Sequence, residues 1–311
     1  MNLIGVGYVG IESTKLDEWQ QYSPEIMGFQ IAPSPESDPD SLYLKMDDRR
    51  HRLAFHPGEI ERVIYIGWEA RQRFDYLDAI KILEENNVEY TVGDEDLCET
   101  RGVKELIRFR DPVGFQHEIF YAQKWMPRSF QPGRPHGGYV TEGRGLGHVV
   151  VMTPEVTEEL ENFLVNVMGM VWHGWGAGKG KTEFYRCKLT DKTSHDIGYG
   201  QAPNRVGIQH IGVFVDNVRD VGETYDLVKE HGHQLMMELG QHSQDPHLSF
   251  YHFTPSGFAF EVITELEPWP GAPYELNPEK LSTWGHKLVG PIIGPSVGVP
   301  EEIYPEIYPK K

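Results

Sequence analysis

Two cysteines in 311 residues, Cys98 and Cys187, are too few for a disulfide framework or a thiolate zinc site. Both are expected to be free thiols in a reduced, cytoplasmic protein. No run of 18 or more residues is apolar, which argues against a membrane span. The stretch Met1 to Ile11 has no basic cluster ahead of an apolar segment, so it does not read as a signal peptide. Basic charge is also scarce: 29 Lys and Arg stand against 47 Asp and Glu, a net −18. That field repels phosphate backbones and anionic lipid, so neither nucleic acid nor membrane is expected as a partner. What remains is ordinary for a globular chain, 39% hydrophobic and 24% charged, and long enough for two domains with their own cores.

The chain repeats itself. Phe109-Arg110-Asp111-Pro112-Val113-Gly114-Phe115-Gln116-His117-Glu118-Ile119 reads like Phe253-Thr254-Pro255-Ser256-Gly257-Phe258-Ala259-Phe260-Glu261-Val262, offset by 143 at the two glutamates. Gly5-Val6-Gly7-Tyr8-Val9-Gly10-Ile11 parallels Gly145-Leu146-Gly147-His148-Val149-Val150-Val151 at an offset of 140. Ile64-Tyr65-Ile66-Gly67 pairs with Gln209-His210-Ile211-Gly212. Three matches in one order at nearly one offset indicate a duplication. Within each copy the pattern is strand, helix, strands, twice over. Strands are expected at Val149–Met152 and Ile211–Val215. Amphipathic helices are expected at Val156–Met168, opened by Thr153-Pro154-Glu155, and at Val218–Glu230, closed near Gly232. The expected fold class is therefore α+β: two tandem modules, each of two βαβββ units on a curved, barrel-like mixed sheet. The Pro-, Gly- and Arg-rich stretch from about Trp125 to Arg144 reads as the connection. The expected division is residues 1–130, linker 131–144, module 145–270 and a Pro-rich tail 271–311. The tail is expected to pack over the second module or a neighbouring subunit.

Chemistry gathers in the second copy. A non-haem Fe(II) site that activates O₂ needs two imidazoles and one carboxylate on one face of the metal, with the other face open. His148, His210 and Glu261 occupy matched positions in the repeat, and inward strand parity would turn all three into one cavity. Singly, each reads as a hydrogen-bonded core residue or a solvated edge acid; at matched positions they read as metal ligands. In the first copy Tyr8 and Tyr65 stand where the histidines stand, and only Glu118 remains. That module is expected to hold no metal.

Around Glu261 runs Gly240-Gln241-His242, seven further residues, then Phe250-Tyr251-His252-Phe253-Thr254-Pro255-Ser256-Gly257-Phe258-Ala259-Phe260-Glu261. This resembles the signature of the type I extradiol dioxygenases of the vicinal oxygen chelate superfamily: Gly-x-His, a spacer, an apolar-Tyr pair, a Pro-x-Gly turn and a metal-binding Glu. Gly147-His148, Gln209-His210-Ile211-Gly212 and the duplicated modules extend the resemblance over all but the tail. It implies cleavage of a substituted or bicyclic catechol by O₂ beside the diol, at one Fe(II), with Mn(II) as the alternative metal.

The resemblance further implies that His195, in Asp191-Lys192-Thr193-Ser194-His195-Asp196, is the acid–base histidine, a role suited to a group titrating near neutrality. His51 occupies a comparable place in the first copy. His242 and Tyr251 match residues that hydrogen-bond the substrate oxygens, with His247 a rival for His242. Asp245 is expected in the substrate site, orienting His195 or His242; Gln244 stands where relatives carry Asn. Trp172, Trp175 and Tyr185 are candidates for the pocket wall, and His173 for a loop at its mouth. His231 and His233 read as helix-end residues, and Arg49-Arg50-His51-Arg52 as a turn. Gly178-Lys179-Gly180-Lys181 lacks the spacing of a phosphate loop. Two rival functions remain: a glyoxalase-type isomerase or lyase, disfavoured by the missing histidines of the first copy, and a metal-free binding protein, disfavoured by the complete triad. Relatives commonly form homo-oligomers, and the same is expected here.

Overall fold

The computed structural model describes residues 1–176, 182–190, 193–243, 245, 247–267 and 280–309. Runs rich in valine, isoleucine and aromatic residues, separated by turn residues, form two mixed sheets. The first contains β1 (Leu3–Ser13), β2 (Gln30–Ala32), β3 (Leu42–Lys45), β4 (Leu53–Pro57), β5 (Arg62–Ala70), β6 (Tyr90–Val92), β7 (Glu105–Arg110) and β8 (Gln116–Tyr121), in the order β2-β3-β4-β1-β5-β8-β7-β6. The second contains β9 (His148–Thr153), β10 (Val171–Trp175), β11 (Thr182–Arg186), β12 (Ile197–Gln201), β13 (Val206–Phe214), β14 (Leu235–His242), β15 (His247–Phe253) and β16 (Ala259–Glu265), in the corresponding order. In every unit the first and last strands lie side by side and parallel, and the two units of a sheet meet antiparallel along β1–β5 or β9–β13. The expected α+β fold of four βαβββ units is thus the observed one. The tail adds β17 (Ser282–Gly285) beside β14 and β18 (Val297–Gly298) beside β13.

Helices α1 (Leu16–Tyr22), α2 (Arg73–Glu85), α3 (Glu95–Arg101), α4 (Glu158–Asn162), α5 (Val218–Glu230) and α6 (Pro300–Ile303) complete the described elements. The side chain of Asn217 caps α5 at Asp220 N, and Gly232, at φ 74°, follows its end. The helix expected over Val156–Met168 is shorter and irregular. Thr157 is its N-cap, α4 ends at Asn162, and Phe163–Val167 continues as a π-helical turn. The first copy does the same at Ser23–Met27, after α1. The residue inserted by a π-turn shifts the apolar stripe, so a 3.6-residue period cannot describe it.

The core lies on the outer faces of both sheets and runs from one to the other. Trp19 of α1 is fully buried, packs against Phe55 of its own sheet and, from the other, stacks on Phe258 and meets Phe260 edge-on. Its Nε1 donates to Ser256 Oγ at 2.8 Å, and Leu146 N donates to Val6 O at 2.7 Å. Losing an aromatic from such a position costs about 3–5 kcal/mol. The inner faces differ. That of the first sheet is plugged by Tyr8, Tyr65, Leu106 and Phe120. That of the second borders a cavity of about 420 Å³.

Candidate metal centre and active site

Three strands bring the triad together. His148 opens β9, His210 lies within β13, and Glu261 lies on β16; Gly212 of β13 is the register partner of both His148 and Glu261. Gly212 is there for space. A Cβ on it would sit 2.2 Å from Cε1 and 2.3 Å from Nε2 of His148. Nε2 of His148 is 3.1 Å from Nε2 of His210 and 3.0 Å from Oε2 of Glu261, and the latter two atoms are 3.6 Å apart. Donors about 2.1 Å from one cation, at right angles to each other, are separated by roughly 3 Å, so these spacings fit a divalent ion. All three side chains are buried. Burial would raise the Glu261 carboxyl, but the hydrogen bond and charge of His148, with His210 and His242 beside it, hold it well below the usual range. Burial, reinforced by His148, pushes His210 down to about 3. An ionised carboxylate with two imidazoles, one held neutral, is the donor set a dication requires. Ser249 Oγ donates to Glu261 Oε1 at 2.7 Å, leaving Oε2 to the triad.

Around this centre the cavity is lined by both polar and apolar groups. Nδ1 of His195 meets Ser194 Oγ at 2.8 Å, while its buried Nε2 has no partner among the described residues; the ring is 4.2 Å from that of His148. Burial, with His148 and His173 nearby, holds His195 well below the usual histidine range, hence neutral. His242 Nδ1 donates to the Leu281 carbonyl at 3.1 Å. Its Nε2 must then accept, and Tyr251 Oη donates to it at 2.7 Å. Burial, then Glu261, raises the Tyr251 hydroxyl well above 10, so it stays protonated. The apolar lining comes from Val150, Met152, Phe184, Met237, Ile292 and Ile293.

The first sheet holds the counterpart. Tyr8 Oη donates to Glu118 Oε2 at 2.7 Å, Arg101 Nε reaches the same oxygen at 3.1 Å, and the guanidinium lies 3.7 Å over the Tyr65 ring. A fixed cation fills that position.

Comparison with known proteins agrees with this geometry. Residues 124–262 match the glyoxalase/bleomycin resistance protein/dioxygenase superfamily, and residues 6–58 match the first domain of dihydroxybiphenyl dioxygenase, BphC D1. A halotolerant catechol dioxygenase of known structure superposes with a TM-score of 0.86 at 28% identity, covering 95% of this chain and 98% of that one. The biphenyl-2,3-diol 1,2-dioxygenase of Sphingomonas paucimobilis is 29% identical over 82% of this chain and 86% of its own. The iron-dependent extradiol dioxygenase of Rhodococcus jostii (strain RHA1) is 30% identical over 92% of this chain and 97% of its own.

The chain belongs to the extradiol dioxygenases.

As a member of that family it is an enzyme of aromatic ring cleavage with a metal cofactor, and the isomerase and binding-protein readings fall away. The structure of this dioxygenase brings His148, His210 and Glu261 into one cluster and sets His195, His242, Tyr251 and Asp245 on the cavity wall. Several expectations need correction. Asp245 orients neither His195 nor His242; its Oδ1 faces N and Nδ1 of His247, both at 3.4 Å, and burial raises it to about 8. His247, the rival to His242, packs edge-on against Phe214 and does not line the cavity. Trp172 and Trp175 are about half exposed on β10 and do not line it either. Tyr185 points into the outer core; strand alternation gives the inward position to its neighbour Phe184. His173 is a buried strand residue, not a loop residue. Gln244 and Gly178-Lys179-Gly180-Lys181 lie outside the described residues. Three residues escaped the sequence reading: Ser249 on Glu261, His286 on Ser249 at 3.1 Å, and Gln209 beside His210. Only Gln209 left a trace in the sequence, as the one polar substitution for Ile64 in the repeated motif.

Proposed function

We propose that this chain cleaves a catechol bearing an apolar ring substituent, at a single Fe(II) held by His148, His210 and Glu261. The observation that carries the reading is the convergence of Nε2, Nε2 and Oε2 within 3.0 to 3.6 Å beside a cavity lined by both polar and apolar side chains. When bound, Fe(II) would supply the Lewis acidity and redox chemistry through which catecholate and dioxygen combine. Mn(II) would suit the same donors, and the iron-dependent relative favours iron.

The remaining work falls to the chain's own side chains. A catechol must shed a proton to bind as an anion, and the neutral Nε2 of His195 can accept it. An anionic substrate beside the ring favours the imidazolium that results, and the same proton can return to the opening ring. Tyr251, kept protonated by burial, can turn its hydroxyl from Nε2 of His242 to donate to a catecholate oxygen, which leaves that Nε2 free to accept from a substrate hydroxyl. Phe184, Val150, Met152, Ile292 and Ile293 exclude water and suit the substituent. A cavity of about 420 Å³ falls among those that take small organic ligands, and it is roomy for a bare catechol ring.

The test is anaerobic loading with Fe(II), then 3-methylcatechol or 2,3-dihydroxybiphenyl and air, with His148→Ala as control. A yellow ring-fission product from the parent and none from the variant supports the reading. No colour from a wide catechol panel, despite one bound iron, overturns it.

A further inference from the structure

Gln209 immediately precedes the ligand position His210, and strand alternation would point the two side chains to opposite faces. They share one face because the pairing of β13 with β9 slips between Ile208↔Val151 and His210↔Val150, which leaves Gln209 as a bulged residue. Both line the cavity. The first sheet carries the same slip, between Gly10↔Tyr65 and Ile11↔Val63, with Ile64 in the bulged position. The bulge is common to both sheets; the amide belongs only to the sheet with the triad.

Hydrogen-bond chemistry fixes how that amide points. The carbonyl of Ile292 can only accept, so Gln209 presents Nε2 to it, at 2.9 Å. Oε1 then faces Nδ1 of His210, and because an amide oxygen can only accept, His210 carries its proton on Nδ1. Nε2 of His210 is left with a lone pair directed at the triad. His148 lacks such support: its buried Nδ1 has no partner among the described residues. The segment that supplies the Ile292 carbonyl is seated by backbone contact. A Cβ on Gly294 would lie 1.9 Å from the Gly257 carbonyl oxygen, and one on Gly290 would lie 2.5 Å from that of Leu235.

We propose that Gln209 is a positioning residue that couples the C-terminal segment to the metal centre. The Ile292 carbonyl holds the amide, and the amide holds His210 in the tautomer and orientation that metal binding needs. The inference rests on the metal reading above, and its readouts do not require turnover.

The parent, Gln209→Leu and Gln209→Glu are loaded anaerobically with Fe(II). Affinity is measured by competition with a chelator, and amide exchange across residues 288–293 by mass spectrometry. Leucine keeps the volume and neither bond; Fe(II) should bind about 10- to 100-fold more weakly, and the segment should exchange faster. Glutamate keeps the acceptor for His210 and loses the donor to Ile292; affinity should stay close to the parent's while the segment still exchanges faster. A residue that only stabilised the fold would move both readouts together in both variants. Unchanged affinity in Gln209→Leu, or equal loss in the two variants, overturns the proposal. A parent that binds no Fe(II) overturns the metal reading instead.

Discussion

Nε of Arg101 lies 3.1 Å from Oε2 of Glu118, and this buried ion pair fills in the first sheet the position that the His148, His210 and Glu261 cluster holds in the second. The two sheets have one design and opposite interiors, one plugged by a side-chain cation and one shaped for a metal ion.

Removing the plug's charge leaves Glu118 buried without its cation. Arg101→Met should cost about 3–5 kcal/mol of stability in urea unfolding near neutral pH. The double variant Arg101→Met/Glu118→Gln should cost clearly less than the single one, because the orphaned charge is gone.

Gly212 and Gly67 make the same space for different rings. A Cβ on Gly67 would come within 2.3 Å of the Tyr8 ring, just as one on Gly212 would collide with His148. Gly212→Ala should therefore empty the protein of metal, whereas Gly67→Ala should lower the melting temperature and leave one metal per chain. Metal analysis after gel filtration checks both.

His252 is a fully buried residue of β15, where Tyr22 Oη meets its Nε2 at 2.6 Å across the two modules. Burial, with His233 nearby, pushes it down to about 3 from an ordinary 6.5. Between those values the unfolded chain carries a proton that the folded chain refuses, so acid favours unfolding. The stability His252 confers is whole above pH 6.5 and is lost as pH falls, by about 1.4 kcal/mol per pH unit. In His252→Phe the acid slope of stability should be shallower by that amount; a slope equal to the parent's would contradict the account.

Much of this was legible in the sequence, for a physical reason. Strand parity, Pro-x-Gly-Phe turns and paired glutamates impose local patterns, and a duplication repeats them, so Glu118 and Glu261 identify each other. The legible part ends where a period breaks. The π-turn at Phe163–Val167 interrupts the helix expected to Met168, and the bulge at Gln209 turns in a residue that alternation assigns outward. Phe184 and Tyr185 are adjacent aromatics whose inward member depends on where β11 begins. Leu281, His286 and Ile292 come from a tail without periodicity, and only tertiary packing brings Leu281 and Ile292 to the cavity and His286 to Ser249.

His195 and Tyr251 should affect turnover without affecting the metal. His195→Gln should lower kcat roughly 10²- to 10⁴-fold, the usual loss of a general acid–base group. Tyr251→Phe should cost about 10²-fold through the missing hydroxyl. Both should retain parental Fe(II) content, which separates them from His148→Ala and His210→Ala.

The most direct test is a single-turnover experiment under ¹⁸O₂ with the Fe(II)-loaded protein and 2,3-dihydroxybiphenyl, following oxygen uptake and product mass against bound iron. The account predicts one iron per chain, one dioxygen consumed per diol, and both labelled atoms retained in a ring-opened product, with none of this in Glu261→Ala. Dioxygen uptake without ring opening, or ring opening that persists in Glu261→Ala, would contradict it.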